Sequence, residues 1–319
     1  MKTISNIKIQ EDLARVFKGR IRLNESLAEH TYIKIGGPVD LFLNPEDIAD
    51  LRAAIEFLNK ADIPWVIIGK GSNLLVSDQV LPIAAIELNN DFFQQISKRD
   101  NIVYAAAGVS LARFVNFNKS QGLAGSEFLA GIPGSIGGAV FMNAGARDLY
   151  SGSLEKICSI ADITVKVQVM DKQGNLRIIN KKDIKFSYRS CGLDEQIILA
   201  AWFELKPGVE QKIDLDIQVF LNNKIKTQEL CLPNAGCIFK NPAATKVSAG
   251  ALIDQASLKG LAIGDAAISF IHANFIVNKG NASFAQVKSL IVKIQETVKN
   301  KYSICLEPEV KIWDREGLE

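Results

Sequence analysis

The chain has 319 residues, and its 37 lysines and arginines nearly balance 35 aspartates and glutamates, leaving a net charge of +2. That balance excludes a dedicated nucleic-acid or membrane-surface protein, which would carry a strong basic bias, and the length suggests two domains or three small ones. The five cysteines are odd in number and show no CxxC spacing, and with only two histidines no metal site is expected.

The start, MKTISNIKIQEDLARVF, has no apolar stretch suited to a signal peptide, and IILAAWFEL (197–205) is too short to span a membrane, so the chain reads as cytoplasmic, in a reducing compartment. The segment NPEDIADLRAAIEFLNK predicts a helix capped by Asn44, with Pro45 in the first turn and Ile48, Leu51, Ile55 and Leu58 on one face. Apolar runs on either side, DLFL and IPWVIIG, make it the centre of a βαβ-like unit. Next comes WVIIGKGSNLLVSD, a strand running through Gly69-Lys70-Gly71-Ser72-Asn73 into a second strand. It lacks the third glycine and following helix of a Rossmann fingerprint, and it is no Walker loop. It fits either an ordinary hairpin turn or a nest of N–H groups for a diphosphate.

Short β-rich segments such as NIVYAAAG, ITVKVQVM and QIILAAWFEL follow between 80 and 205, with one helix from Ser110 to Gly122. Within this region LAGIPGSIGGAVFMNAGA (129–146) holds five glycines. Such density serves either a tight loop between strands or a cradle that lets an anion meet the backbone. The polar stretch KPGVEQK (206–212) marks the expected domain boundary, and SFAQVKSLIVKIQETV reads as an amphipathic helix opened by a Ser283/Gln286 capping box. The predicted fold is α+β. Its parts are a region 1–206 in two subdomains (about 1–65 and 66–206), a second domain 207–304, and a C-terminal segment 305–319.

The motifs HTYIKIGGPVD, IIGKGSNLLVSD, GLAGSEFLAGIPGSIGGAVFMNAGA, YRS, AGCIFKNP, AGALIDQASLKG and LEPEVKI stand in this order between about 25 and 312. In this the chain resembles the UDP-N-acetylenolpyruvoylglucosamine reductases, flavoenzymes of peptidoglycan precursor synthesis. The short interval between Arg189 and Cys237 resembles their shorter subtype, which lacks a tyrosine-bearing loop over the substrate. The resemblance implies noncovalent FAD in a non-Rossmann fold of the vanillyl-alcohol-oxidase type, with NADPH as hydride donor. It also implies UDP-N-acetylglucosamine enolpyruvate as the substrate partner and no nucleic-acid or membrane partner; the chain is expected to act as a monomer. Gly69, Gly71, Ser72, Asn73 and Leu74 fall on the family's first FAD loop, and Gly134, Ser135, Gly137 and Gly138 on its second, with Asn143 nearby.

The implied reaction saturates an enol ether beside a carboxylate. It needs a cation for the carboxylate, a group to share enolate charge, and an acid for the other carbon. Motif position gives these roles to Arg189, Glu309 and Cys237. Glu307 lies two residues from Glu309, and composition does not separate them; the family pattern favours Glu309. Relatives mostly carry Ser where this chain has Cys237. A thiol yields its proton more readily than an alcohol, at the cost of a site open to alkylation. Tyr188, Lys226, Gly236, Lys240 and Asn241 are expected to meet the substrate. Two further departures stand out. Glu229 replaces a usual proline, and SFIHANF lacks a charged pair before His272, which reads as a structural histidine. The competing readings are another FAD-linked oxidase or dehydrogenase on the same cofactor fold, or a non-catalytic nucleotide-sugar binding protein.

Overall fold

The computed structural model describes residues 7–150 and 156–318. The first sheet has four strands in the order Arg20–Ser26, Pro38–Asn44, Leu81–Glu87, Trp65–Ile68. Pro38–Asn44 and Trp65–Ile68, joined by the helix Ile48–Lys60, both run parallel to Leu81–Glu87, which lies between them. The βαβ-like unit is therefore present, with a later strand inserted at its centre. Every residue of Leu81–Glu87 is buried, as a strand covered on both faces requires. Leu51, Ala54, Ile55 and Leu58 of the helix pack on one face with Leu41, Leu43, Ala84 and Ile86. Leu27, Val39, Phe42, Ile83, Ala85 and Trp313 cover the other.

The helix is capped by Asp47, whose carboxylate accepts the Asp50 N–H at 2.8 Å, and not by Asn44. Asn44 precedes a proline, which favours extended backbone. It ends a strand, and its carboxamide donates to the Glu87 carbonyl and to Asn89.

The second sheet is antiparallel throughout, in the order Leu176–Asn180, Thr164–Asp171, Gln196–Glu204, Ile102–Ala106, Ile96–Arg99. Leu111–Ser120, capped by Ser110 as expected, packs against it with the short helix Ile136–Phe141. The helix Glu210–Thr227 joins the same core through Ile213, Ile217 and Phe220. The third sheet is Asn234–Cys237, Phe275–Asn278, Ala266–Ile268, Ala262–Ile263, with helices Ala249–Gln255 and Phe284–Tyr302 over it. The Ser283/Gln286 capping box forms, and Val287, Ile291, Ile294 and Val298 are buried.

Two expected boundaries move on this packing. A cut at 65/66 would split the first sheet, which continues to Glu87. A cut at 206/207 would separate the helix Glu210–Thr227 from the core it fills. We propose that the subdomains divide after Glu87 and that the third unit begins within 228–234. The C-terminal strand Lys311–Trp313 leaves the third unit and pairs in parallel with Leu74–Val76. Among the described residues no helix is long and apolar enough to cross a membrane.

Candidate active site

Gly69–Asn73 leaves the first sheet, and Ser72 Oγ donates to the Pro133 carbonyl at 2.9 Å, tying the two glycine loops together. A side chain on Gly134 would meet nothing nearer than Ser72 Oγ at 3.5 Å, and one on Gly236 nothing nearer than the Ser72 carbonyl at 3.9 Å. At Gly69 and Gly138 the nearest atom is Ser135 Oγ, at 3.3 and 3.9 Å. These four glycines open onto space around Ser72 and Ser135 that side chains would fill. Among the described residues no backbone carbonyl takes the N–H groups of Lys70, Gly71 or Ser72. Unspent amides and bare backbone fit a dinucleotide pyrophosphate.

The other expected cradle residues are placed differently. Gly71, at φ +62°, faces the His30 carbonyl so closely that no side chain fits. Gly137 sits against Ala107 and gives its N–H to that residue's carbonyl at 2.9 Å. Leu74 is buried against Trp313 and its neighbours. Asn73 donates to the Glu309 carbonyl at 3.1 Å. Asn143 bridges the Ser187 carbonyl (2.8 Å) and the Ala161 N–H (3.3 Å), so it braces the turn that carries Tyr188 and Arg189. Gly71→Ala is therefore expected to lower folding stability by about 2 kcal/mol or more. Gly138→Leu should leave the urea midpoint in place while the protein loses bound flavin; the two effects exchanging places would refute the division.

Arg189 sits at φ +59° in a tight turn closed by reciprocal Ser187–Ser190 backbone bonds, a position that usually favours glycine. Its Nε donates to Glu309 Oε1 at 2.6 Å, and its guanidinium lies 5.2 Å from the Tyr188 ring centroid. Glu309 is delivered from the C-terminal segment. Its N–H donates to the Ile238 carbonyl at 2.7 Å, while the Lys240 N–H donates to the Glu307 carbonyl at 2.9 Å. The two glutamates differ in setting. The Glu307 side chain is 77% exposed and lies 3.6 Å from Lys240, whereas that of Glu309 is 10% exposed beside Arg189.

Burial pushes the Glu309 carboxyl above its ordinary range, against the pull of Arg189. Burial first, and then the Glu309 charge, push the Cys237 thiol up to about 12, with Arg189 and Asn274 opposing. That shift works against alkylation, because the thiolate is the nucleophile, while the residue itself is only part-buried. Tyr188 is raised by burial and by Glu309, and its hydroxyl accepts the Asn241 N–H at 3.4 Å. The Asn241 side chain accepts from the Ala249 N–H at the head of a helix. Gly236, at φ +76°, forms the bulge before Cys237.

Lys226 is exposed on the outer face of its helix, away from the core. Lys224 is the buried lysine. Its methylenes lie where a side chain on Gly131 would go, and burial lowers its ammonium to about 8. No acid pairs with it among the described residues. The spacing Ile213, Ile217, Phe220, Lys224 on one helical face was the signal for it.

This architecture, an α+β two-part region with a C-terminal α+β unit, is that of an FAD-binding oxidoreductase outside the Rossmann class. Residues 39–180 match the FAD binding domain family, and residues 227–313 match the C-terminal domain of UDP-N-acetylenolpyruvoylglucosamine reductase. The UDP-N-acetylenolpyruvylglucosamine reductase of Thermus caldophilus superposes with a TM-score of 0.77 at 31% identity, over 93% of this chain and all of that one. A solvent-stable cholesterol oxidase shares the fold alone, at 0.50 and 13% identity, over 60% of this chain and 38% of its own. The UDP-N-acetylenolpyruvoylglucosamine reductase of Anoxybacillus flavithermus is 39% identical over 97% of this chain and 99% of its own. That of Halalkalibacterium halodurans is 39% identical over 96% and 98%. The chain belongs to the UDP-N-acetylenolpyruvoylglucosamine reductase family.

Proposed function

We propose that the chain is a cytoplasmic, NADPH-dependent FAD enzyme that reduces the enolpyruvyl group of UDP-N-acetylglucosamine enolpyruvate to give UDP-N-acetylmuramate. The product enters peptidoglycan synthesis and so serves cell-wall growth, shape and division. The observation that carries this reading is the convergence of Arg189, Cys237 and Glu309, from three distant parts of the chain, beside a glycine cradle. A binding module would have no use for an acid set against a carboxyl and a guanidinium.

The open faces at Gly69, Gly134 and Gly138 and the amides of the first loop would hold the cofactor. When bound, FAD supplies the hydride that NADPH provides. Arg189 takes the substrate carboxylate through its planar fork, and to do so it exchanges Glu309 for the substrate. Glu309, already pushed up by burial, loses its counter-ion and holds a proton to share with the developing enolate oxygen. Cys237 gives the proton that balances the incoming hydride, and solvent later replaces it. One hydride and one proton together, two electrons and two hydrogens in all, saturate the double bond.

The test is a visible spectrum of the purified protein, anaerobic reduction with NADPH, and addition of UDP-N-acetylglucosamine enolpyruvate. A flavin band that bleaches and then returns establishes both half-reactions. Flavin that is reduced but not reoxidised assigns the fold to another acceptor. Folded protein that binds no FAD overturns the reading of both loops.

A further inference from the structure

The pairing of Asn234–Cys237 with Phe275–Asn278 is irregular: Asn234 faces Val277 and Cys237 faces Phe275, with a register shift between. Beyond Cys237 the backbone turns to Asn274, a residue no motif singled out. The Ile238 N–H donates to the Asn274 main-chain carbonyl at 2.8 Å, and the Phe239 N–H donates to Asn274 Oδ1 at 2.9 Å. Asn274 Nδ2 returns a bond to the Phe239 carbonyl at 2.8 Å. One planar carboxamide thus gives Phe239 the donor and acceptor that a neighbouring strand's peptide would. Asn274 is 3% exposed, so this clamp is shielded from water.

The opposite edge of the same stretch holds the segment bearing Glu309, through Glu309 N–H to the Ile238 carbonyl and a Phe239–Pro308 bridge. Residues 237–240 are therefore gripped by Asn274 on one side and by 307–309 on the other. The groups facing the Cys237 sulfur are Glu309 from the C-terminal segment, Arg189 and Tyr188 from the turn, and Asn274 from the turn before the adjoining strand. Asn274 is itself fixed, since its main-chain N–H donates to His272 Nδ1 at 3.2 Å and the His272 ring packs 4.7 Å from Phe275. That bond requires His272 to be neutral at Nδ1, as burial and Lys259 favour. His272 is structural, as its sequence context suggested.

We propose that Asn274 is a positioning residue for the acid: by completing the strand at Phe239 it holds the backbone that carries Cys237 and so sets the thiol against Glu309. A misplaced acid transfers its proton less readily, so the clamp serves the proton-transfer step and not flavin reduction. The inference rests on Cys237 acting as the acid in the proposed reaction.

The test uses flavin-loaded Asn274→Ala and Asn274→Asp. The aspartate keeps an acceptor for the Phe239 N–H but lacks the donor, so it preserves a folded comparison if the alanine protein does not fold. Flavin reduction by NADPH is expected within about twofold of the parent. Reoxidation by the enolpyruvyl substrate is expected to slow about 10- to 100-fold, as for a misplaced acid, with a larger solvent deuterium isotope effect. Reoxidation within about threefold of the parent, or both half-reactions falling together with flavin loss, overturns the proposal. If the parent itself is not reoxidised, the reductase reading fails separately. A crystal structure of Asn274→Ala then tests Asn274 alone: a Cys237 displaced from Glu309 supports the proposal, and an unmoved Cys237 overturns it.

Discussion

Cys237→Ala is expected to slow substrate-driven flavin reoxidation about 10²- to 10⁴-fold, the usual contribution of a placed general acid, while NADPH still reduces the flavin at the parent rate. Cys237→Ser should retain substantial turnover. The thiol acts in its protonated form, and with its pKa raised to about 12 it stays protonated across the working range. A hydroxyl, also neutral there, can occupy the same role. The sign of the shift gives a pH profile as well. A free cysteine would be half ionised near pH 8.5, so an unshifted acid would lose activity from there upward. Here the Cys237-dependent rate should hold flat to about pH 10 and fall only beyond it. Stopped-flow reoxidation across pH 7–10 checks both statements. An alanine variant at the parent rate would remove Cys237 from the acid role.

Arg189→Gln should lower kcat/KM for the enolpyruvyl substrate about 10³-fold, with flavin content unchanged. The guanidinium is asked to hold a carboxylate and to exchange Glu309 for it, and glutamine supplies neither charge nor fork. Arg189→Lys keeps the charge but meets Glu309 through a single point, so it should recover only part of the loss. Steady-state kinetics on protein of matched flavin content would decide this. Equal activity of lysine and arginine enzymes would show that charge alone suffices.

Local chemistry carried much of the reading. Helix starts at Ser110 and Ser283 stand where capping patterns put them, and the motif residues Arg189, Cys237 and Glu309 lie near one another. The errors share one cause, which is that long-range pairing decides between equivalent local options. Asn44 and Asp47 are both good caps, and the demands of Glu87 and Asn89 on Asn44 chose between them. In the same way Lys226 and Lys224 carry the same charge two residues apart, and the helical face buries only the second. Glu309, unlike Glu307, has Arg189 as a partner. Glu229, odd in place of a proline, accepts the Ser269 hydroxyl at 3.1 Å and the Cys231 N–H, so a carboxylate now holds that turn. Asn274 had no signal, because a side chain that imitates a strand is visible only beside the strand it completes.

The parallel ladder between Leu74–Val76 and Lys311–Trp313, with Asn73 bonded to Glu309, joins positions 236 residues apart. Closing so long a loop costs entropy that only the finished contact repays, so this ladder belongs to the late events of folding. The glycine loops, whose contacts with each other and with the first two sheets lie nearer in sequence, need not wait for it. Refolding protein should then capture flavin before it can turn over, with the last strand acting as a latch that converts a cofactor carrier into an enzyme.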